Sequence, residues 1–171
     1  LPSLSSNLTS DWLIVGAGFA GLSAARRVQQ EAPNDSIVIL DAQGLASGPA
    51  GRNSGFMIDL PHDLASDDYG GQVENDRETI TQNRYAINFA KETVEALELP
   101  KECFKEIGKI NGAATAKGMR HNHDYAKHLS KLGEKYEYLD ANSMKDITGT
   151  NYYKGGLFTP GTVMILSLIH I

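Results

Sequence analysis

Cysteine, positive charge and long apolar runs are all scarce in this sequence of 171 residues. Its single cysteine, Cys103, excludes a disulfide within the chain and any metal site that needs several thiolates. One cysteine is also typical of a reducing compartment, so we expect a cytoplasmic protein. No stretch reaches the roughly 18 apolar residues of a membrane-spanning helix. The 16 basic residues are outnumbered by 21 acidic ones and form no basic run, which disfavours a nucleic-acid partner held through its phosphates.

Apolar residues and glycine, in contrast, are present at the level of an ordinary globular domain. Hydrophobic residues make up 41% of the chain, and there are 17 glycines. Such a chain can bury enough apolar surface to offset the entropy lost on folding, which excludes a disordered protein. The length predicts one domain, or one domain and part of a second.

The two ends of the sequence differ from the rest. Residues 1–10 form a polar lead-in without the basic and apolar segments of a secretory signal. Residues 166–171 are those that the codons CTG TCT CTT ATA CAC ATC would encode, and this string resembles the mosaic-end adapter of transposase-based sequencing libraries. The alternative is a genuine strand that continues residues 162–165. We expect 166–171 to be an adapter-derived addition and the natural reading frame to continue beyond Ile165.

Residues 11–41 have the pattern of a βαβ unit. Residues 11–15 and 36–40 are short apolar runs rich in β-forming side chains, which predict buried strands. Between them we predict a helix over 18–30, with Leu22, Ala25 and Val28 facing inward. We therefore expect two parallel strands joined by a right-handed crossover.

A glycine-rich turn joins the first strand to this helix. It reads Gly16-Ala17-Gly18-Phe19-Ala20-Gly21, the G-x-G-x-x-G pattern of dinucleotide-binding proteins. In that pattern the first glycine permits the tight turn, the second lets the backbone approach a pyrophosphate, and the third lets helix and strand pack closely. Asp41 ends the second strand 20 residues beyond Gly21, which is the spacing of the acid that binds a ribose. The alternative is a glycine turn that binds no nucleotide.

The rest of the chain predicts a long loop and then a mixture of helices and strands. Residues 42–72 are rich in Gly, Ser, Asp and Pro and are too many for an ordinary connection, which indicates a functional loop. The later patterns predict helices over 77–97, 121–132 and 141–147 (the last capped by Asp140), a hairpin of 104–110 and 112–116 around Asn111-Gly112, and a strand over 152–158. His121 and His128 share a helix face that His123 does not, and we predict no metal site.

The segment after Asp41 resembles the D-amino-acid-oxidase-like (DAO) superfamily of FAD-dependent oxidoreductases. The resemblance is carried by V-G-A-G-F-A-G-L-S-A-A-R-R at 15–27, I-V-I-L-D at 37–41 and A-G-R-N-S-G-F at 50–56, and more weakly by G-G-L-F-T-P-G at 155–161. A similar G-R-N-x-G stretch is found in the branch that contains γ-glutamylputrescine oxidoreductases and related amine oxidases. The resemblance extends over most of residues 11–165, but the motifs that are specific to the superfamily lie within the first 56 residues.

This resemblance implies an α/β fold with a Rossmann-like FAD-binding βαβ unit of the glutathione-reductase type. It also implies that the chain contains only part of an α+β substrate domain, which is truncated. We assign 11–72 to the FAD-binding unit with its flavin loop and 73–165 to the partial substrate region. The loop after the second strand would fold back along FAD, so we expect the cofactor to contact Ala42, Arg52, Asn53, Ser54 and Gly55 as well as the glycine turn and Asp41. The alternative is a solvated surface loop. Some relatives attach FAD through a histidine at what looks like the position of Arg52, and arginine does not form that bond. We therefore expect non-covalent FAD.

The family resemblance also implies the reaction. We expect FAD-dependent oxidation of the C–N bond of a small amine or amino acid, with hydride transfer to the flavin. The sequence assigns no catalytic residue. Two alternatives stay open at this point: an NAD-dependent dehydrogenase, which would need a regular βαβαβ continuation where this chain has a long loop, and a non-catalytic FAD-binding protein.

Overall fold

A parallel strand–helix–strand unit occupies the N-terminal part of the chain. The computed structural model describes residues 3–45, 47–61 and 73–166. The described residues of 1–55, together with Leu166, form one compact unit, and the described residues of Phe56–Ile165 form a second. The predicted α/β class is confirmed, with a Rossmann-like βαβ unit followed by an α+β region. Most of the adapter-like tail, 167–171, and the later part of the predicted loop, 62–72, lie outside the described residues.

In the first unit, strand β1 (Trp12–Val15) pairs in parallel with β2 (Ile37–Leu40). Helix α1 (Phe19–Glu31) connects the two strands, and its bounds lie within one residue of the prediction. Trp12 lies opposite Ile37, and Val15 lies opposite Leu40. The predicted βαβ unit is therefore present.

The apolar residues of this unit are more exposed than predicted. Leu13 is 59% exposed, Val15 81% and Leu22 44%. The described part of the unit contains two strands and one long helix, so α1 covers only one face of the sheet. Side chains alternate between the faces of a strand, which leaves Leu13 and Val15 on the uncovered face. The prediction of buried strands, and of an inward-facing Leu22, is wrong for the described residues.

In the described part of the second unit there are two antiparallel three-stranded sheets and three longer helices. One sheet has the strand order β3-β8-β4 and the other has the order β5-β7-β6. Short 3₁₀ turns at Pro49–Gly51 and Lys101–Cys103 precede β3 and β4. The elements, in chain order, are β3 (Phe56–Met57), α2 (Val73–Ala96), β4 (Phe104–Glu106), β5 (Lys109–Ala113), α3 (Ala116–Leu132), β6 (Glu137–Asp140), α4 (Ala141–Thr148), β7 (Gly155–Thr159) and β8 (Val163–Ile165).

The core of this second unit lies where α2 and α3 meet the β5-β7-β6 sheet. Apolar side chains at helical spacing on α3 point into it, and Leu157 from the central strand β7 meets them. The buried cluster consists of Leu60, Ile80, Tyr125, Ala126, Leu129, Leu132 and Leu157.

The predicted hairpin around Asn111-Gly112 is wrong. These two residues lie inside the continuous strand β5, where Asn111 pairs with Leu157 and Gly112 with Gly156 of β7. Both residues usually favour a turn, but here they take part in close contacts within the second unit. The Asn111 carbonyl accepts a hydrogen bond from the Asn122 side chain at 2.7 Å. A Cβ on Gly112 would lie 2.7 Å from the Tyr153 ring.

The helix ends in this unit follow their local capping residues. Asp140 accepts a hydrogen bond from the Ser143 N–H at 2.8 Å, and Gly149 ends α4 with φ of 71°, so the predicted short helix and its cap are confirmed. Helix α3 begins earlier than predicted, because Thr115 caps it by accepting from the Gly118 N–H at 3.1 Å.

Candidate cofactor site

The glycine turn of the first unit begins with a residue that only glycine adopts easily. Gly16 follows β1 with φ of 100° and donates its N–H to the Leu40 carbonyl at 2.7 Å. An added Cβ would meet nothing within 4 Å, so the requirement is for backbone conformation and not for space. The turn is thereby fixed to the end of β2, where Asp41 follows.

Gly18 lies at the start of α1 and leaves the helix terminus open. It is the N-cap residue, its backbone is extended, and no side chain caps the helix there. The first helical hydrogen bond runs from the Leu22 N–H to the Gly18 carbonyl at 3.0 Å. The N–H groups before Leu22 therefore have no acceptor within the helix. A Cβ on Gly18 would have one near neighbour, the Ala50 Cβ at 3.8 Å, so the approach to these N–H groups is unobstructed.

Gly21 serves a different purpose from the first two glycines. A Cβ at this position would overlap the Gly16 carbonyl oxygen and would lie 3.3 Å from Ile14 Cγ2. Its absence lets the first turn of α1 pack directly on the end of β1. The roles that the pattern predicts for the three glycines agree with these local geometries, while their contact with a cofactor stays a prediction.

Asp41 connects the end of β2 to the glycine turn. Its Oδ2 accepts the Ala17 N–H at 2.7 Å and its Oδ1 accepts the Gln43 N–H at 2.9 Å. The hydrogen bond from Ala17, followed by that from Gln43, lowers the pKa of the Asp41 carboxyl below its usual value. Each carboxylate oxygen has a second lone pair, so the side chain can still accept a ribose hydroxyl. The bond to Ala17 was not predicted, because the spacing of Asp41 indicates a ribose contact and carries no signal for this one.

The loop of residues 49–55, called the cofactor loop below, is held by its own hydrogen bonds. Asn53 donates from Nδ2 to the Ala50 carbonyl at 2.5 Å and accepts the Gly55 N–H at 2.8 Å. Gly55 has φ of 77°, which its lack of a side chain allows. Asn53 therefore shapes the loop, a role that an Asn two residues before a glycine could have suggested.

The structure brings some of the predicted site residues into contact and places others at exposed positions. The glycine turn, Asp41 and the Ala50 end of the cofactor loop are neighbours. Arg52 and Ser54 are exposed in the cofactor loop, and Ala42 is exposed directly after Asp41. Phe19 and Ala20 lie exposed in the first turn of α1.

Two histidines of the second unit, His123 and His128, lie against polar side chains. His123 Nδ1 lies 3.0 Å from the Tyr138 hydroxyl, and His128 Nε2 lies 2.6 Å from Asp76 Oδ2. Over the described ranges, His, Cys, Asp and Glu form no group of three or more suited to a metal ion. Within the same ranges, no helix combines the length and the apolar character needed to cross a bilayer.

A strand, a glycine turn, an open helix N-terminus and a second strand that ends in an acid are the features shared by the class of βαβ proteins that bind dinucleotides. The comparison with known families is more specific. The model of the family described as "DAO: FAD dependent oxidoreductase" matches residues 11–167, and the chain belongs to this family.

Among curated proteins, the chain is similar to gamma-glutamylputrescine oxidoreductase of Escherichia coli (strain K12). The two are 25% identical over 159 residues, which cover 91% of this chain and 36% of that protein. The chain thus spans little more than a third of the curated relative that it matches.

Solved structures show the same fold. Glycine oxidase from Geobacillus kaustophilus superposes with a TM-score of 0.72 at 17% identity, covering 93% of this chain and 41% of that one. L-amino acid deaminase from Proteus vulgaris superposes with a TM-score of 0.71 at 16% identity, covering 99% of this chain and 38% of that one. L-alpha-glycerophosphate oxidase from Mycoplasma pneumoniae, solved with FAD bound, superposes with a TM-score of 0.64 at 17% identity, covering 93% of this chain and 39% of that one.

Proposed function

We propose that the protein oxidises the C–N bond of a small amine or amino acid with FAD, and that this chain supplies the cofactor-binding part. Family membership supports FAD as the cofactor. The relatives named for γ-glutamylputrescine, glycine and L-amino acids support a nitrogen-containing substrate. The NAD-dependent alternative is not favoured, because the family that matches nearly the whole chain is FAD-dependent.

The observation that carries the cofactor proposal is the open cradle at Gly18. The site must accept a doubly charged pyrophosphate, and the N-terminus of α1 offers N–H groups and the positive end of the helix dipole. The space beside Gly18 is what a Cβ would fill. The residues present therefore fit FAD at this turn.

Asp41 and Arg52 would hold the two ends of the adenosine diphosphate part of FAD. Asp41 would accept hydrogen bonds from the ribose hydroxyls, and its charge would repel a 2′-phosphate. Arg52 would bring a permanent positive charge from the cofactor loop to the pyrophosphate. Because arginine forms no bond to a flavin, the chain would hold FAD non-covalently through Asp41, Arg52 and the turn.

When bound, FAD supplies the two-electron acceptor for the hydride that leaves the carbon next to nitrogen. The residues of this chain bind and orient that acceptor: the glycine turn fixes the pyrophosphate, and Asn53 and Gly55 fix the shape of the loop beside it. We assign no proton transfer to any residue of this chain.

The first test is flavin retention in the complete protein that carries this chain. Gly18→Val should abolish retention, because the side chain would occupy the pyrophosphate approach while the protein itself has room for it. Gly48→Val is the matched control: Gly48 has nearly the same backbone angles (φ −85°, ψ −168°, against φ −84°, ψ −173° at Gly18), and a Cβ there meets nothing within 4 Å. Stoichiometric yellow cofactor in Gly18→Val protein would refute the proposed role of this turn.

The second test is reduction of the bound flavin without oxygen. Amines and amino acids should bleach its visible absorbance, whereas glycerol phosphate should not. Bleaching by glycerol phosphate alone would place the chain's activity with the glycerophosphate oxidase and against C–N oxidation. Bound flavin that no substrate of either class reduces would favour the non-catalytic alternative.

A further inference from the structure

The residues that follow the cofactor loop form a buried segment without regular structure. Asp59–Pro61, called the anchor segment here, begins four positions after Gly55 and belongs to neither a helix nor a strand. Asp59 is 0% exposed and Leu60 is 2% exposed, and Leu60 belongs to the core cluster of the second unit. A buried irregular segment has no ladder of backbone hydrogen bonds, so other groups must satisfy its polar atoms.

Side chains from two helices supply several of these partners, although the buried Asp59 Oδ1 accepts no hydrogen bond from the described residues. Arg84 of α2 donates to Asp59 Oδ2 from Nε at 3.2 Å and from Nη2 at 2.9 Å. Asn83 donates from Nδ2 to the Asp59 carbonyl at 3.1 Å. The Tyr125 hydroxyl of α3 donates to the Pro61 carbonyl at 3.0 Å. The anchor segment is thus held at both ends by side chains that are distant in sequence.

Arg84 is the central group of this arrangement. Besides Asp59, it binds both carboxylate oxygens of Glu134, just after α3, at 3.0 and 2.6 Å. The hydrogen bond with Glu134 is the largest of the effects that raise the pKa of Arg84, so the side chain stays charged. The Asp59 side chain is fully buried, while that of Arg84 is 44% exposed. Arg84 is therefore the group that forms an ion pair with the buried carboxylate of Asp59, and Lys109 also interacts with this carboxylate electrostatically.

The turn between β7 and β8 also makes room for Asp59. A Cβ on Gly161 would overlap the Asp59 carboxylate. The absence of a side chain at Gly161 leaves the space that the Asp59 carboxylate occupies. Asp59 itself follows closely after the cofactor loop in sequence.

We propose that Arg84 is a positioning residue for the cofactor loop. Arg84 binds Asp59 and thereby fixes the anchor segment, which is the part of the chain that follows the cofactor loop. The inference rests on the proposed FAD function. A loop with a fixed end samples fewer conformations before it binds, so less of the interaction free energy is lost in ordering it. Arg84 would then affect FAD affinity without contacting FAD.

The test compares two arginines of the same helix in the complete protein. Arg77 lies seven residues before Arg84 on α2 and donates to the carbonyls of Lys131 and Leu132 at 3.1 and 3.5 Å, without contacting the anchor segment. Arg84→Met should raise the dissociation constant of FAD about tenfold or more, the effect of losing one charged hydrogen-bonded link. Arg77→Met should leave that constant within about twofold.

A double variant separates positioning from loss of stability. Arg84→Met alone leaves a buried charge, which lowers the melting temperature. Adding Asp59→Asn removes that charge and should restore much of the melting temperature, but FAD should still bind about tenfold more weakly because the link is absent. The proposal would be overturned if the double variant recovered both its melting temperature and its FAD affinity. Equal FAD affinity in Arg84→Met and Arg77→Met would overturn it as well. If the unaltered protein retained no flavin, the proposed function would fail instead.

Discussion

At the residue scale, the candidate site depends most on Asp41, which has two tasks at once. It holds the glycine turn through the Ala17 N–H and is placed to bind a ribose. A loss of FAD affinity on its removal could therefore come from a disturbed turn or from a lost ribose contact. Asp11 offers a comparison, because it joins the other end of the same two strands. Its Oδ2 accepts the Ser36 N–H at 2.8 Å and the Ser36 hydroxyl at 2.7 Å.

We expect Asp41→Ala to weaken FAD binding by roughly ten- to hundredfold, because a charged acceptor is lost at the ribose. Asp11→Ala removes comparable hydrogen bonds from the sheet without touching the site, and it should leave FAD affinity nearly unchanged. Titration of the two apoproteins with FAD measures both constants. Equal affinities in the two variants would mean that the ribose acid lies elsewhere.

At the scale of elements, the central strand β7 shows how closely the backbones of the second unit approach. Gly155 and Gly156 are neighbours whose side-chain positions face opposite sides of the sheet. A Cβ on Gly155 would lie 2.9 Å from the Leu139 carbonyl oxygen, a backbone atom of β6. A Cβ on Gly156 would lie 2.6 Å from Met144 Sδ, which belongs to a flexible side chain.

Gly155→Ala should therefore destabilise the protein by about 1–3 kcal/mol, the usual cost of overpacking. Gly156→Ala should cost less, because methionine can adopt another rotamer whereas the backbone of β6 cannot move without breaking its pairing. Denaturant unfolding of the two variants in parallel measures the difference. If Gly156→Ala were the more damaging change, the packing described for β7 would be incorrect.

At the scale of the whole molecule, the described residues of the first unit leave one apolar face of its sheet uncovered. Leu13, Val38 and Leu40 line a groove of about 490 Å³ together with residues of the polar lead-in such as Leu4 and Leu8. The chain also spans only about two fifths of the solved structures that share its fold. Exposed apolar strands with free edges favour association between copies.

We expect residues 1–171, produced by themselves, to associate and to retain little FAD. Val15→Lys, at a position that is 81% exposed, should reduce the association without disturbing the βαβ unit. Light scattering and flavin absorbance of the two proteins provide the measurement. A monomer with a full complement of FAD and a cooperative unfolding transition would contradict this prediction.

The sequence by itself determined the features whose causes lie within a few residues. The glycine turn, its strand and helix, and the capped helix α4 were predictable because a glycine at positive φ, an N-cap acid and a short apolar run act locally. The dinucleotide pattern with Asp41 was enough to predict the βαβ unit, and the segment after Asp41, with A-G-R-N-S-G-F at 50–56, was needed as well to predict the family. The FAD contacts of these residues remain a prediction.

Tertiary structure alone decided the features that depend on partners distant in sequence. Asn111 and Gly112 have strong local preferences for a turn, yet they lie in a strand, because pairing with β7 and contact with Tyr153 outweigh those preferences. The ion pair of Arg84 with Asp59 joins residues 25 positions apart, and no sequence pattern around either residue predicts it. Local patterns predict conformation because propensity acts over neighbouring residues, whereas sheet order and buried ion pairs are set by which surfaces meet when the whole chain packs.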